Sequence, residues 1–170
     1  MRILTVFYSL EGNCRALAEI IRETAGGEFE ALRPETEIPR QGFRRFLTGG
    51  KMVFQGNPCP NQPLTASVAD YDLVFVGTPV WWWHMSPPVL RFLSDTDWSG
   101  RPVALYVLSG GGPGWTLRAM RKLVEARGGQ VVSSAGFIDL RRRKPAATRE
   151  RAAVWAREAV KSADPKIIGA

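Results

Sequence analysis

The stretch Leu73-Val74-Phe75-Val76-Gly77-Thr78-Pro79-Val80-Trp81-Trp82-Trp83-His84-Met85-Ser86-Pro87-Pro88 decides how this chain folds. It begins as a continuous apolar run, Leu73–Gly77, without the alternation of a strand that faces water on one side. Such a run fits a strand covered on both faces. Pro79 stiffens the backbone where the run ends, and Pro87-Pro88 opens a helix at the position where proline is tolerated. A buried strand leading into a helix is the repeating unit of a parallel sheet wrapped on both sides.

Working outward, the same kind of run recurs at Ile3–Tyr8, Glu28–Leu32, Val103–Leu108 and Val131–Ile138. Helical spacing follows most of these runs. Leu17, Ile20, Ile21 and Thr24 fall on one face, and Ala152, Trp155, Ala156, Ala159, Val160 and Ala163 form a longer stripe of the same period. Weaker stripes run from Val89 to Leu93 and from Leu117 to Val124. Gly26-Gly27 and Gly128-Gly129 sit where a helix should stop and a strand begin. The expectation is one α/β doubly wound domain over residues 1–170, built on five parallel strands.

Residues 34–70 break this rhythm. They hold five prolines and the basic-aromatic piece Phe43-Arg44-Arg45-Phe46-Leu47. A short helix near Gln41–Lys51 followed by an irregular connection is predicted there, and connections this long usually cover a ligand or a partner.

Composition narrows the class. Apolar residues make up 45% and charged residues 23%, as in a soluble globular protein. No apolar run approaches the roughly 20 residues of a membrane span. The apolar opening Met1–Tyr8 is too short for a secretory leader and is soon interrupted by Glu11-Gly12-Asn13, so a cytoplasmic location is expected. Cys14 and Cys59 lie far apart without metal-ligand spacing, so neither a disulfide framework nor a zinc site is indicated, and no metal is expected. Lys and Arg number 23 against 16 acidic residues, a net charge of +7 that favours anionic cofactors or acidic partners. Arg141-Arg142-Arg143-Lys144 reads as a solvated loop, and no RNA-binding or recognition-helix pattern supports nucleic acid.

In open parallel sheets ligands bind beyond the carboxyl ends of the strands, where strand order reverses. Three loops of unusual composition leave strand ends here. Ser9-Leu10-Glu11-Gly12-Asn13-Cys14 runs into a helix N-terminus, which offers unpaired N–H groups and a positive dipole end to a phosphate; a plain capped turn is the alternative. It is neither a Walker loop nor the three-glycine dinucleotide fingerprint. In the second loop, three consecutive tryptophans cannot all enter one core, so Trp81 is expected to face a ligand; Trp82 and Trp83 serve equally as a hydrophobic corner or an oligomer contact. Ser109-Gly110-Gly111-Gly112-Pro113-Gly114 carries four glycines in six residues, a backbone that a planar ligand can approach closely. Phosphate cradle, aromatic wall and glycine wall together describe a pocket for FMN.

With these loops in hand, the chain resembles the flavodoxin superfamily over essentially its whole length, in particular its small flavodoxin-like FMN-binding branch. The resemblance rests on Tyr8-Ser9-Leu10-Glu11-Gly12-Asn13, on Gly77-Thr78-Pro79-Val80-Trp81 and on Phe46-Leu47-Thr48-Gly49-Gly50-Lys51. It implies a flavodoxin-like three-layer sandwich whose five-stranded parallel sheet has the order 2-1-3-4-5. It further implies that Ser9, Leu10, Glu11, Gly12, Asn13 and Cys14 line the FMN phosphate. Thr78, Pro79, Val80, Trp81 and Trp82 would line the ribityl chain and ring, and Ser109, Gly110, Gly111 and Gly112 the far ring edge. Glu11 and Cys14 stand where the family carries hydroxyl residues, so Glu11 is expected to turn outward and Cys14 to be the weaker donor.

The function expected is electron transfer through a non-covalently bound FMN, with no side-chain acid or base assigned and His84 read as a structural loop histidine. An NAD(P)H-dependent quinone or flavin reductase using the same site is the alternative, and a cofactor-free interaction module the third reading. A redox partner protein, acidic in surface given the basic charge of this chain, or a small-molecule acceptor is implied, with the chain a monomer or homodimer.

Overall fold

A computed structural model describes residues 1–35, 59–138 and 145–164. The helix expected near Gln41–Lys51, the Phe46–Lys51 piece and the Arg141–Lys144 run lie outside the described residues. Elements follow one another as β1 (Ile3–Phe7), α1 (Asn13–Ala25), β2 (Glu28–Ala31), β3 (Leu73–Trp81), β4 (His84–Met85), α2 (Pro87–Asp95), β5 (Pro102–Ser109), α3 (Thr116–Ala126), β6 (Gln130–Ile138) and α4 (Pro145–Ser162). The main strands pair in parallel in the order β2-β1-β3-β5-β6. Counted without the short β4, that is the expected order 2-1-3-4-5.

The near-continuous apolar strands are explained by what covers them. Ile3, Phe7, Leu73, Phe75, Ala104 and Tyr106 pack on one face against α1 and α4. Leu4, Val6, Val74, Val76, Val103, Leu105 and Val107 pack on the other against α2 and α3. Alternate residues of each strand therefore serve two separate cores, and polar residues have little place in either. Trp155 of α4 anchors the first layer, with ring centroids 5.5 Å from Phe75, 6.2 Å from Tyr106 and 5.6 Å from Phe137. Its indole N–H donates to Ser133 Oγ at 2.8 Å, so the buried ring leaves no polar atom stranded. Trp98 does the same in the second layer, donating to the Leu93 carbonyl at 3.1 Å.

The glycine pairs work as expected at helix ends. Gly26 caps α1 at φ 79, and Gly27 follows at φ 85 where a side chain would strike the Ile3 backbone.

The structure departs from expectation in one place that matters. β3 does not end at Gly77 but continues to Trp81, and β4 folds back on it as an antiparallel hairpin pairing Val80 with Met85 and Trp81 with His84. β1 ends at Phe7, opposite Gly77, so beyond that point β3 has lost one neighbour. Pro79, which has no N–H to give, is tolerated at this half-free stretch, where its remaining partner strand is β5.

Candidate functional site

The first loop forms one side of a cleft above the carboxyl ends of β1, β3 and β5. Gly12 adopts φ 88 at the start of α1, and its carbonyl accepts the Ala16 N–H at 3.0 Å. The amides of the first helical turn have no acceptor within the helix; Ser9 Oγ takes that of Arg15 at 3.3 Å. No acidic residue lies in the first turn, so the positive end of the helix faces the cleft uncompensated from within α1. Glu11 is exposed and Cys14 is buried, and both line the cleft.

The second side is the hairpin. Its turn is Trp82-Trp83, and both residues have positive φ, 48° and 61°. Those are the signs of a type I′ turn, which normally takes Asn-Gly. Placing a bulky residue in this region costs roughly 1–2 kcal/mol, and here two adjacent tryptophans do so. Their rings meet edge to face, with centroids 6.4 Å apart, and remain 53% and 62% exposed. Trp81, half-buried, meets Tyr8 edge-on at 5.9 Å. The root of the hairpin is closed by Thr78, whose Oγ1 lies 3.0 Å from Ser86 Oγ and accepts the Ser86 N–H at 3.0 Å. Both residues are fully buried.

The third side is the glycine loop. Ser109 Oγ accepts the Gly112 N–H at 2.9 Å, which curls the loop back on the end of β5. A Cβ at Gly111 or Gly112 would meet nothing within 4 Å, so this wall borders open space.

These sides enclose about 770 Å³, lined by Ser9, Leu10, Glu11, Asn13, Cys14, Pro79, Val80, Trp81, Trp82, Trp83, Leu108, Ser109, Gly110, Gly111 and Gly112. The three loops singled out in the sequence therefore converge. Two of the expected residues do not line the cleft. Thr78 stands behind the wall and holds the hairpin together. Gly12 shapes the first loop without lining the cleft. Trp83 and Leu108 are added by the structure. Leu108 precedes Ser109 at the end of β5, and Trp83 is the second turn residue of a hairpin for which the sequence carries no local turn signal.

Beneath the floor, Tyr106 is fully buried, and its hydroxyl has no hydrogen-bond partner among the described residues. Burial, and secondarily the nearby Cys14 thiol, holds its phenol well above the ordinary tyrosine range. His84 is exposed on β4 beside the hairpin tip. No group of three or more metal-ligating side chains, and no helix long and apolar enough to cross a membrane, occurs among the described residues.

A doubly wound sheet with its ligand cleft at the β1/β3 switch point defines a flavodoxin-like protein. Solved structures share that fold. A flavoprotein in complex with FMN from Lactobacillus acidophilus is 21% identical, with 79% of this chain and 92% of that one covered and a TM-score of 0.69. The two-electron reduced flavodoxin of Megasphaera elsdenii is also 21% identical, at 92% and 98% coverage and a TM-score of 0.58. A Fusobacterium nucleatum flavodoxin bound to flavin mononucleotide is 16% identical, at 95% and 98% coverage and a TM-score of 0.60. At such identities the likeness shows the fold alone. The family comes from the sequence: residues 1–141 match the model of the NADPH-dependent FMN reductases, and the chain belongs to that family. It is a flavodoxin-like redox protein whose cofactor is FMN.

Proposed function

We propose that the cleft holds one FMN, with the phosphate on residues 9–14 and the ring between Pro79–Trp82 and Ser109–Gly112. The observation that carries this reading is the meeting of a helix N-terminus, an aromatic wall and a wall without side chains in one cleft of about 770 Å³. The residues present fit the group. Ser9 and Asn13 offer polar side chains beside the first-turn amides of α1, a donor set suited to a phosphate. The open space at Gly111 and Gly112 suits a flat ring, which any larger residue there would crowd.

Bound FMN supplies the redox chemistry by taking up and releasing reducing equivalents. The chain's own residues bind and orient it. The α1 dipole would oppose the phosphate charge, and Gly12 would let the first loop approach it closely. Trp81, whose ring meets that of Tyr8, would pack against the flat group, and backbone groups of residues 80–82 and 110–112 would hold its polar edges. Electron transfer to a redox partner needs no side-chain acid, and the net charge of +7 suits a partner of acidic surface.

A second reading, hydride transfer from NAD(P)H with a quinone or free flavin as acceptor, is favoured by the family match and by the exposed Trp82 and Trp83 at the open end of the cleft.

Titration of apoprotein with FMN and with riboflavin, followed by flavin fluorescence, tests the placement. A helix N-terminus contributes roughly 0.3–2 kcal/mol toward a bound anion, and side-chain donors add to it. FMN should therefore bind about tenfold tighter than riboflavin, and Asn13→Ala should narrow that gap. Equal affinities refute the phosphate assignment. Anaerobic mixing with NADPH separates the two activities: bleaching of the flavin band within seconds supports the reductase, and its persistence supports the carrier.

A further inference from the structure

The hairpin that carries Trp82 and Trp83 is not self-supporting. Its ladder has only two residue pairs, Val80 with Met85 and Trp81 with His84. Its turn places two tryptophans in the left-handed region without a glycine or asparagine to relieve them. The root is closed by Thr78 and Ser86, but that contact lies at the far end from the turn.

What meets the tip comes from the opposite side of the cleft. Thr116, the first residue of α3, is fully buried, and its Oγ1 donates to the Trp83 carbonyl at 2.9 Å. Gly114 lies beneath the Trp83 ring: a Cβ there would sit 2.8 Å from Trp83 Cδ1 and 2.9 Å from its Cβ. Both contacts issue from the chain segment that continues the glycine loop, and the Thr116 N–H in turn binds the Pro113 carbonyl at 3.1 Å. The aromatic wall and the glycine wall are thus tied by one hydroxyl across the outer end of the cleft.

We infer that Thr116 is a positioning residue for the cofactor, acting through Trp83. It fixes the strained turn and sets the spacing between the two walls. The inference rests on the reading that the cleft holds FMN. Its consequence is that loss of this hydroxyl alters how the ring is held, not merely how well the chain is folded.

The test compares wild type, Thr116→Val and Thr116→Ser as full chains. FMN and riboflavin affinities, the midpoint potential of the bound flavin and the intrinsic tryptophan emission of the apoprotein are measured, with thermal melts alongside. Thr116→Val keeps the shape and deletes the donor, leaving the Trp83 carbonyl unpaired. It should weaken FMN and riboflavin alike by about tenfold, shift the potential and change the apoprotein emission, whereas Thr116→Ser should restore all three. If Thr116→Val does not fold, Thr116→Ala deletes the same donor with less bulk and should move potential and emission in the same sense, and wild-type values there overturn the inference. Wild-type affinity and potential in Thr116→Val overturn the inference while the FMN reading stands. So does a lowered melting temperature with unchanged potential, or a Thr116→Ser that behaves like valine. A wild-type protein that binds neither flavin overturns the FMN reading, and the inference with it.

Discussion

Replacing Gly77 by alanine adds one methyl group at a point of the sheet that the Tyr106 ring already fills. Gly77 pairs directly with Tyr106 of β5, and the tyrosine ring lies over the position a side chain would take. A Cβ there would overlap Cζ, Cε2 and Oη of the ring. Restoring an ordinary separation of ~3.5 Å requires the ring to retreat, yet Tyr106 is fully buried and packed against Trp155. Overpacking of this kind costs about 1–3 kcal/mol, and the rigid neighbours place Gly77→Ala at the upper end. Alanine's lower unfolded-state entropy returns less than about 1 kcal/mol of that. The net expectation is a loss of about 2–3 kcal/mol, or roughly 4–12 °C in Tm for a chain of this size. Tyr106→Leu removes the obstructing ring at a cost of its own, about 2–4 kcal/mol for the cavity. In the double variant the new methyl group no longer collides, so the two losses should fall short of their sum by at least about 1 kcal/mol. Urea unfolding followed by circular dichroism and tryptophan fluorescence measures all four corners of this cycle. A Gly77→Ala variant within about 0.5 kcal/mol of wild type, or strictly additive losses, would refute the account of why glycine stands here.

Tyr106→Phe should be neutral or stabilising by up to about 1–3 kcal/mol, because it removes a buried hydroxyl that has no partner among the described residues; a loss above 1 kcal/mol by urea unfolding refutes this. The same variant bears on alkaline stability. The folded phenol holds its proton well above the ordinary range while the unfolded one releases it near pH 10, so wild-type stability should fall as pH rises above about 10, and Tyr106→Phe should lose that part of the slope. Glu30 accepts the Thr65 N–H at 2.8 Å, the Thr65 hydroxyl at 3.0 Å and the Ala66 N–H at 3.1 Å, tying the incoming chain to β2. Glu30→Gln should cost about 1–2 kcal/mol and speed hydrogen exchange at Thr65 and Ala66; unchanged exchange at both amides contradicts that role.

Much of this architecture was legible because burial on both faces leaves its mark on composition. β1 and β5 stand out as unbroken apolar runs, and α4 announces itself through Ala152, Trp155, Ala156 and Ala159, all buried as the stripe implies. The strand order came from the resemblance, since parallel strands of similar composition do not reveal their neighbours. The cleft was legible because turn chemistry is local: a glycine loop after a strong strand has few other uses. The hairpin was not. Trp82-Trp83 carries none of the residues that ease positive φ, and the contacts that hold it, from Thr78, Gly114 and Thr116, come from tertiary packing. For the same reason Thr78 reads from sequence as a cleft residue and proves to be a brace behind the wall. The pairing of Gly77 with Tyr106 likewise exists only once β3 and β5 lie side by side.

The tryptophans are distributed in a way that makes the protein its own spectroscopic instrument. Trp155 belongs to the layer under α1 and α4, and Trp98 to the layer under α2 and α3, each hydrogen-bonded and shielded from water. Trp82, Trp83 and Trp115 stand exposed, the first two at the cleft itself. Buried indoles emit toward the blue and solvated ones toward the red, so unfolding of either layer and events at the cleft leave separable signatures in one spectrum. Single replacements of Trp98 or Trp155 by phenylalanine would assign the blue component layer by layer, and the red component would then follow flavin arrival without any added label.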